Sequence, residues 1–277
     1  MEYARPELLA EPEWLAAHLD DPAVRIIDCA SADAYRRAHI RGAVELPTHR
    51  FIKEDDAEGS DHGVLVMAPA EFAALMGRLG VGPDTTVVTY DDSNSMAAAR
   101  LWWTLAYYGH ANARVLNGGW QRWLNEGREI AVRPFAPAPA TFVATPNPAM
   151  YATLDELKES HADSGCQVMD VRSDGEWAGT NDRGNRRAGH VPNAHHLEWL
   201  RFVRQADSPT FRSADEIQEL LDGGGISRER PTITYCQGGI RAAHTAFVLA
   251  LMGYEGVRVY DGSMREWANR EDTPLVR

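Results

Sequence analysis

One cysteine in the chain has neighbours that favour thiol chemistry. Cys236 follows the β-branched run Thr232 to Thr234, which predicts a buried strand, and precedes an alanine-rich stretch that predicts a helix. At the start of a helix the first backbone N–H groups have no partner and can stabilise an anion. We therefore expect Cys236 to be held as a thiolate, which is the nucleophilic form of the side chain.

The residues that follow Cys236 support this interpretation. Two glycines would let the loop curl until its N–H groups converge on one point, and an arginine adds a fixed positive charge. The predicted site comprises the nucleophile Cys236 and the anion-binding residues Gln237, Gly238, Gly239, Ile240 and Arg241. The alternative is that Cys236 is a small buried apolar residue at a strand end, which would explain neither the glycine pair nor the arginine.

Composition excludes several classes of protein. The net charge of −12 and the absence of a basic run in the sequence argue against nucleic acid as a partner. No apolar run reaches about eighteen residues, so we expect no membrane span, and the acidic first residues do not resemble a signal peptide. Three cysteines cannot form an even disulfide framework. We therefore expect a cytoplasmic protein with free thiols, in which Cys29 and Cys166 are structural.

The sequence repeats itself with a period of about 144 residues. Ile26 to Asp28 matches Val168 to Asp170, and the segment that begins at His39 matches the segment that begins at His190. In both halves, continuous apolar strands alternate with helical patterns, which is typical of a parallel sheet covered by helices on both faces. The predicted fold class is therefore α/β, with two homologous domains in tandem.

A proline-rich segment separates the two halves. Residues 133–149 contain five prolines, and this composition cannot continue a helix or a central strand. We predict an N-terminal domain of residues 1–132, a linker of residues 133–149 and a C-terminal domain of residues 150–277.

The halves differ at the loop and at one insertion. Where the second half has Cys236 to Arg241, the first half has Asp91 to Ala97, which is one residue longer, acidic and without glycine or cysteine. We expect the N–H groups of this first loop not to converge, so that only the C-terminal half carries thiol chemistry. The second half alone contains the insertion Gly179 to Arg187, which has three arginines.

Four stretches resemble the rhodanese family of sulfurtransferases in its tandem form. They are Asp170-Val171-Arg172 with His190 to Ala194, the loop Cys236 to Arg241, Val259 to Ser263, and Val115 to Trp120. The resemblance extends from about Trp14 to Pro274, and it implies two rhodanese-like domains of which the C-terminal one is catalytic. It also implies that the cysteine accepts the outer sulfur of a donor, holds it as a persulfide and passes it to an acceptor.

The loop indicates which donor the resemblance implies. Its Cys-Gln-x-x-x-Arg form resembles that of bacterial thiosulfate sulfurtransferases. We therefore expect a small anionic sulfur donor, thiosulfate, and an acceptor that is cyanide or a thiol, including the thiol of a small redox protein. The alternative donor is 3-mercaptopyruvate. No metal or cofactor is expected.

One position departs from the family. Animal members have an arginine where this chain has Glu176, so we expect one direct contact to the donor to be lost. Arginines of the insertion could replace the missing charge. We expect Arg187 first in this role, because it lies nearest in sequence to His190, and Arg183 after it.

Two other classes remain as alternatives. Cysteine phosphatases and arsenate reductases also close a cysteine loop with an arginine, but their loops have one residue more between the two than the four residues Gln237 to Ile240. A non-catalytic regulatory module is the second alternative, and the presence of Cys236 argues against it.

Overall fold

The computed structural model describes residues 1–53, 65–162 and 165–277, and continuous apolar strands build a parallel sheet in each half of the chain. The strands of the N-terminal half are β1 (Leu9–Ala10), β2 (Val24–Asp28), β3 (His39–Ile40), β4 (Val44–Glu45), β5 (Ile52–Lys53), β6 (Leu65–Val66), β7 (Thr86–Tyr90), β8 (Ala113–Leu116) and β9 (Ile130–Ala131). Its helices are α1 (Pro12–Ala17), α2 (Ala32–Arg37), α3 (Pro69–Arg78), α4 (Met96–Tyr107) and α5 (Gly119–Asn125).

The C-terminal half repeats this pattern. Its strands are β10 (Tyr151–Ala152), β11 (Gln167–Asp170), β12 (His195–His196), β13 (Val203–Arg204), β14 (Thr210–Phe211), β15 (Thr232–Tyr235) and β16 (Val257–Tyr260). Its helices are α6 (Leu154–Ser160), α7 (Asp174–Trp177), α8 (Ala214–Gly223), α9 (Ile240–Leu251) and α10 (Ser263–Trp267).

Each half contains one five-stranded parallel sheet. The strand order is β1-β8-β7-β2-β4 in the first sheet and β10-β16-β15-β11-β12 in the second, so equivalent strands occupy equivalent places. Consecutive residues of β2, Ile26 and Ile27, belong to two different buried clusters, which shows that both faces of the sheet are covered. The predicted α/β class, with a parallel sheet in each half, is confirmed.

The linker segment packs along the first half. The backbone N–H of Ala140 donates to the carbonyl of Gly77, and the ring of Phe142 meets Phe72 edge to face with centroids 5.7 Å apart. β9 ends at Ala131 and β10 begins at Tyr151, and the described chain has no strand or α-helix between them. The division at residues 132 and 150 stays a prediction.

Among the described residues, no helix combines the length and the apolar character that a membrane crossing needs.

The two halves pack together through the equivalent helices α4 and α9. Trp102 of α4 and Phe247 of α9 meet edge to face, with ring centroids 4.9 Å apart. One continuous buried cluster contains residues of both halves. The two halves therefore share a core, and burial of apolar surface between them stabilises both.

A buried ion pair crosses this interface. Arg100 of α4 donates from Nη1 and Nη2 to the two carboxylate oxygens of Asp261, which follows β16, at 2.5 and 3.0 Å. Both side chains are 0% exposed, and Asp261 also accepts from the backbone N–H of Val66 at 2.9 Å. A charge in such a place depends on its partner, because water cannot replace the lost contact.

We expect Arg100→Ala to lower the free energy of unfolding by about 3–5 kcal/mol, because the substitution leaves Asp261 buried and unpaired. Urea unfolding of the full chain measures this loss. The control is Arg36→Ala, which breaks the exposed pair of Arg36 with Asp33 and should cost less than about 1 kcal/mol. A loss for Arg100→Ala as small as that of the control would contradict the assignment.

His244 of α9 lies at the same interface as a buried, neutral base. It is 0% exposed and packs between the rings of Trp199 and Phe211, with centroid distances of 4.9 and 5.5 Å. Burial disfavours the imidazolium and lowers the pKa of His244 to about 3. Below an unfolded-state pKa of about 6.5, the unfolded chain therefore binds a proton that the folded chain does not, and stability decreases as pH falls.

We expect the wild-type chain to lose about 2 kcal/mol more stability than His244→Gln between pH 7 and pH 5. Urea unfolding of both chains at the two pH values tests this expectation. The comparison uses the change with pH, so a constant packing cost of the substitution cancels. Identical pH dependence in the two chains would show that His244 is protonated as readily in the folded state as in the unfolded one.

Candidate active site

The Cys236 loop connects β15 to α9 and is held from below by the start of α10. The backbone N–H of Met264 donates to the carbonyl of Cys236 at 3.1 Å, and that of Arg265 donates to the carbonyl of Gln237 at 2.9 Å. The first N–H groups of a helix have no partner within it, so the loop carbonyls satisfy them. Cys236 is only 1% exposed, so its side chain is almost completely shielded from solvent.

The hydroxyl of Ser263 fixes the other side of the loop. Its Oγ accepts from the backbone N–H groups of Cys236 and Gly239, both at 3.1 Å, and donates to the carbonyl of Tyr260 at 2.9 Å. Ser263 has φ +51°, a conformation that favours glycine, and Gly119 has φ +52° at the equivalent place of the first half. Sequence reasoning missed this role, although the Gly-Ser pair after β16 was part of the resemblance.

We expect Ser263→Ala to be less stable than Ser263→Gly by about 1 kcal/mol, which reverses the usual order of alanine and glycine. Both substitutions remove the hydroxyl, but only glycine adopts φ +51° without strain. Urea unfolding of the pair isolates the backbone contribution. If the alanine variant is the more stable one, Ser263 carries no backbone strain.

Four backbone N–H groups in the loop and the first turn of α9 have no acceptor among the described residues. They belong to Gly238, Ile240, Arg241 and Ala242. Together with the positive end of the helix dipole, such groups can stabilise negative charge at the sulfur and at an atom bound to it.

In the first-half loop, N–H groups converge on an acidic side chain. The carboxylate of Asp91 accepts from the N–H groups of Ser93 and Ser95 at 2.7 and 2.9 Å and from that of Ala98 at 2.8 Å. Our expectation that this loop would not gather N–H groups is wrong. Asn94 and Ser95 adopt φ +59° and +63° and thereby produce the curl that we had assigned to glycine alone.

Matched contacts show that the two loops are equivalent. Trp120 N–H donates to the Asp91 carbonyl as Met264 N–H does to that of Cys236, and the hydroxyls of Thr89 and Thr234 donate to the carbonyls of Ala98 and Ala242. By this equivalence, the Asp91 carboxylate marks the position of the Cys236 sulfur and of a group bound to it. In the first half the anion is part of the chain, whereas in the second half the thiol occupies its place.

The two loop glycines have different roles. Gly239 has φ +80°, and a Cβ atom there would lie 2.1 Å from Oδ1 of Asp261, so no larger residue fits. Gly238 is not in the left-handed region. Since Asp261 is held by Arg100, the N-terminal half supports the Cys236 loop on the side of Gly239.

Arg241 is bound by Glu176, a position that the sequence analysis had marked only for the loss of a donor contact. Its Nη1 and Nη2 donate to Oε2 and Oε1 of Glu176 at 2.7 and 2.8 Å, across 65 residues of sequence. Burial favours the neutral form of Glu176, but the hydrogen bonds and charge of Arg241, with bonds from Ser173, lower its pKa to about 2. Burial works against the charge of Arg241, yet Glu176 and Cys236 raise the pKa of that guanidinium.

The two arginines predicted from the insertion are separated. The side chain of Arg183 is 55% exposed, and its Nε lies 3.9 Å from Oε1 of Glu176, so it adds a solvated charge beside the Arg241 pair. Arg187 donates four hydrogen bonds to the carbonyls of Trp267, Ala268 and Thr273 and to the Thr273 hydroxyl. The structure therefore does not bring Arg187 together with the loop, because it braces the turn after α10.

The insertion reaches the loop through an amide instead. The side chains of Asn185 and Gln237 exchange two hydrogen bonds, Nε2 to Oδ1 at 3.0 Å and Nδ2 to Oε1 at 3.1 Å. Asn185 also accepts from the side chain of Asn269 at 3.2 Å. The side chain of Gln237 is thus held at the rim, and its backbone forms the loop.

The other two cysteines lack these surroundings. Burial, followed by the charges of Asp91 and Asp28, raises the pKa of the Cys29 thiol well above its usual value. Cys166 is half-buried just before β11 and makes a weak contact with the carbonyl of Gln167. All three cysteines are free.

Two similar α/β halves in tandem, with a cysteine loop at the start of a helix in the second half, are the features of one class of protein. Comparisons with known proteins identify that class. Residues 11–126 and 153–270 each match the rhodanese-like domain. The chain belongs to the rhodanese-like family, with two copies of the domain in tandem, as the sequence predicted.

Two relatives and one solved structure illustrate the similarity. The sulfur carrier protein TtuD of Thermus thermophilus is 34% identical, with 100% of this chain and 99% of the relative covered. The thiosulfate sulfurtransferase of Corynebacterium glutamicum is 33% identical, with 99% and 92% covered. The crystal structure of SseA from Escherichia coli, described as a 3-mercaptopyruvate sulfotransferase, is 27% identical with a TM-score of 0.83, covering 92% and 98% of the two chains.

Proposed function

We propose that this chain is a thiosulfate sulfurtransferase that uses Cys236 as its nucleophile. The observation that carries the proposal is the place of Cys236 between β15 and α9, where the N–H groups of Gly238, Ile240, Arg241 and Ala242 have no acceptor among the described residues. These N–H groups, the positive end of the helix dipole and the cation of Arg241 can stabilise negative charge on the sulfur during the reaction. The name of the relative from Corynebacterium glutamicum supports the same activity.

In the first half-reaction, the Cys236 thiolate attacks the outer sulfur of thiosulfate. A new S–S bond forms, the S–S bond of thiosulfate breaks, and its electron pair leaves with sulfite. The product on the protein is a persulfide anion. By the equivalence with Asp91, whose carboxylate accepts from the N–H of Ala98, the outer sulfur lies where the N–H of Ala242 is directed, so this donor stabilises the charge that the step generates.

In the second half-reaction, the acceptor attacks the outer sulfur of the persulfide. Cyanide leaves as thiocyanate, or a thiol acceptor becomes a persulfide, and the Cys236 thiolate is regenerated in both cases. The Thermus relative is named a sulfur carrier protein, which supports a protein thiol as the acceptor. We place this chemistry in the cytoplasm, in a C-terminal domain of residues 150–277 that residues 1–132 support.

The geometry disfavours the phosphatase alternative. The loop has four residues between Cys236 and Arg241, and Ser263 already occupies the N–H groups of Cys236 and Gly239. The remaining donors suit one sulfur atom better than the three outer oxygens of a phosphoryl group. 3-Mercaptopyruvate stays the alternative donor, because the similar structure from Escherichia coli is described by that substrate.

We expect incubation with thiosulfate to add one sulfur atom to the chain and cyanide to remove it, as read by intact mass. Cys236→Ser should abolish both events, since only this thiol lies beside convergent N–H groups. Cys29→Ser and Cys166→Ser are the matched controls and should retain transfer. Turnover that persists in Cys236→Ser would contradict the mechanism, and sulfur gained from 3-mercaptopyruvate but not from thiosulfate would favour the alternative donor.

A further inference from the structure

The charge that Arg241 offers to an anion is already paired. Two hydrogen bonds of 2.7 and 2.8 Å join its guanidinium to Glu176, whose side chain is only 3% exposed. Ser173 donates to the same carboxylate from its hydroxyl at 2.9 Å and from its N–H at 3.3 Å. Glu176 therefore cannot turn away from Arg241 without also disrupting the start of α7.

The surrounding charges do not restore a positive field. Asp170 and Arg172, the nearest buried charges on β11 and its extension, pair with each other at 2.6 Å. Arg183 adds an exposed cation near Glu176, where solvent screens it. Glu198 adds an acidic group whose interactions include Arg241 and Glu176. A dianionic donor that approaches the thiolate thus meets no uncompensated buried cation among these groups.

We propose that Glu176 is a specificity-determining residue that, by neutralising Arg241, disfavours dianionic sulfur donors relative to donors of lower charge. This inference rests on the proposed sulfur transfer. Its physical basis is that the interaction of a fixed charge with a donor scales with the donor's charge. The factor by which a change at Glu176 alters kcat/KM for a dianion should therefore be the square of the factor for a monoanion.

Two donors with the same outer sulfur separate charge from chemistry. Thiosulfate is a dianion and leaves as sulfite, whereas methanethiosulfonate is a monoanion and leaves as methanesulfinate. With Glu176→Gln, we expect kcat/KM to rise about 10-fold for thiosulfate and about 3-fold for methanethiosulfonate. Glutamine retains the size of the side chain and can still accept from Ser173, so α7 keeps its start.

Two control variants test whether charge is responsible. Asp174→Asn removes a carboxylate from the same helix, but Asp174 is 95% exposed, so the ratio of the two kcat/KM values should stay as in the wild type. Glu176→Asp keeps the charge and should also retain the wild-type ratio. If Glu176→Gln does not fold, Arg241→Gln, which leaves the buried carboxylate of Glu176 without its cation, should shift the ratio in the opposite direction.

A second measurement does not depend on sulfur transfer. Iodoacetate and iodoacetamide alkylate Cys236 by the same reaction but differ by one negative charge, so the ratio of their rates, followed at Cys236 by peptide mass, reports the local field. Glu176→Gln should raise this ratio about 3-fold. If the ratio rises but neither donor transfers sulfur, the proposed function fails while the role of Glu176 stands. Unchanged ratios in both measurements would overturn the inference.

Discussion

The structure of this protein depends on how the N–H groups are satisfied at the turn between a parallel strand and the following helix. At such a turn, N–H groups without helical partners lie close together, and they need an acceptor. The first half supplies one permanently, because Asp91 directs its own carboxylate into three of these groups. The second half places Cys236 there instead, so in the proposed reaction the acceptor is the sulfur of Cys236 or a sulfur atom that arrives and leaves.

At the interface between the two halves, equivalent positions also carry different side chains. By the equivalence of the loops, Arg100 on α4 corresponds to His244 on α9, and Asp261 corresponds to Asn117. Asn117 accepts from the N–H of Phe211 at 3.1 Å, as Asp261 does from that of Val66. Only one of the two positions carries a buried ion pair, and that pair packs against Gly239 of the catalytic loop. The N-terminal half thus supports the Cys236 loop of the C-terminal half through a buried ion pair.

Sequence reasoning recovered what local pattern determines. Apolar runs and their repetition predicted both sheets, and the residues around Cys236 predicted its place between strand and helix. Sequence reasoning failed where a side chain's partner lies far away in the sequence or where the surroundings set the backbone conformation. The pairing of Arg241 with Glu176 spans 65 residues. The left-handed conformation of Ser95 accompanies a hydrogen bond from its N–H to the Asp91 carboxylate, a contact that no residue propensity reports. Arg187 was placed by its nearness in sequence to His190, although its partners are carbonyls near residue 270.

The comparison of the two loops also explains why the positive charge of Arg241 near the thiol should be balanced by a negative charge. The Asp91 carboxylate is a fixed part of the chain and is held by three N–H groups, although burial, the largest influence, raises its pKa. A transient anion must be bound weakly enough to leave. If Arg241 were unpaired, its charge would bind sulfite and the donor more tightly as well as stabilise the thiolate. Glu176 reduces that excess while it keeps the guanidinium in place. Under the proposed function, Glu176 therefore limits how strongly this site retains the anions that it uses and releases.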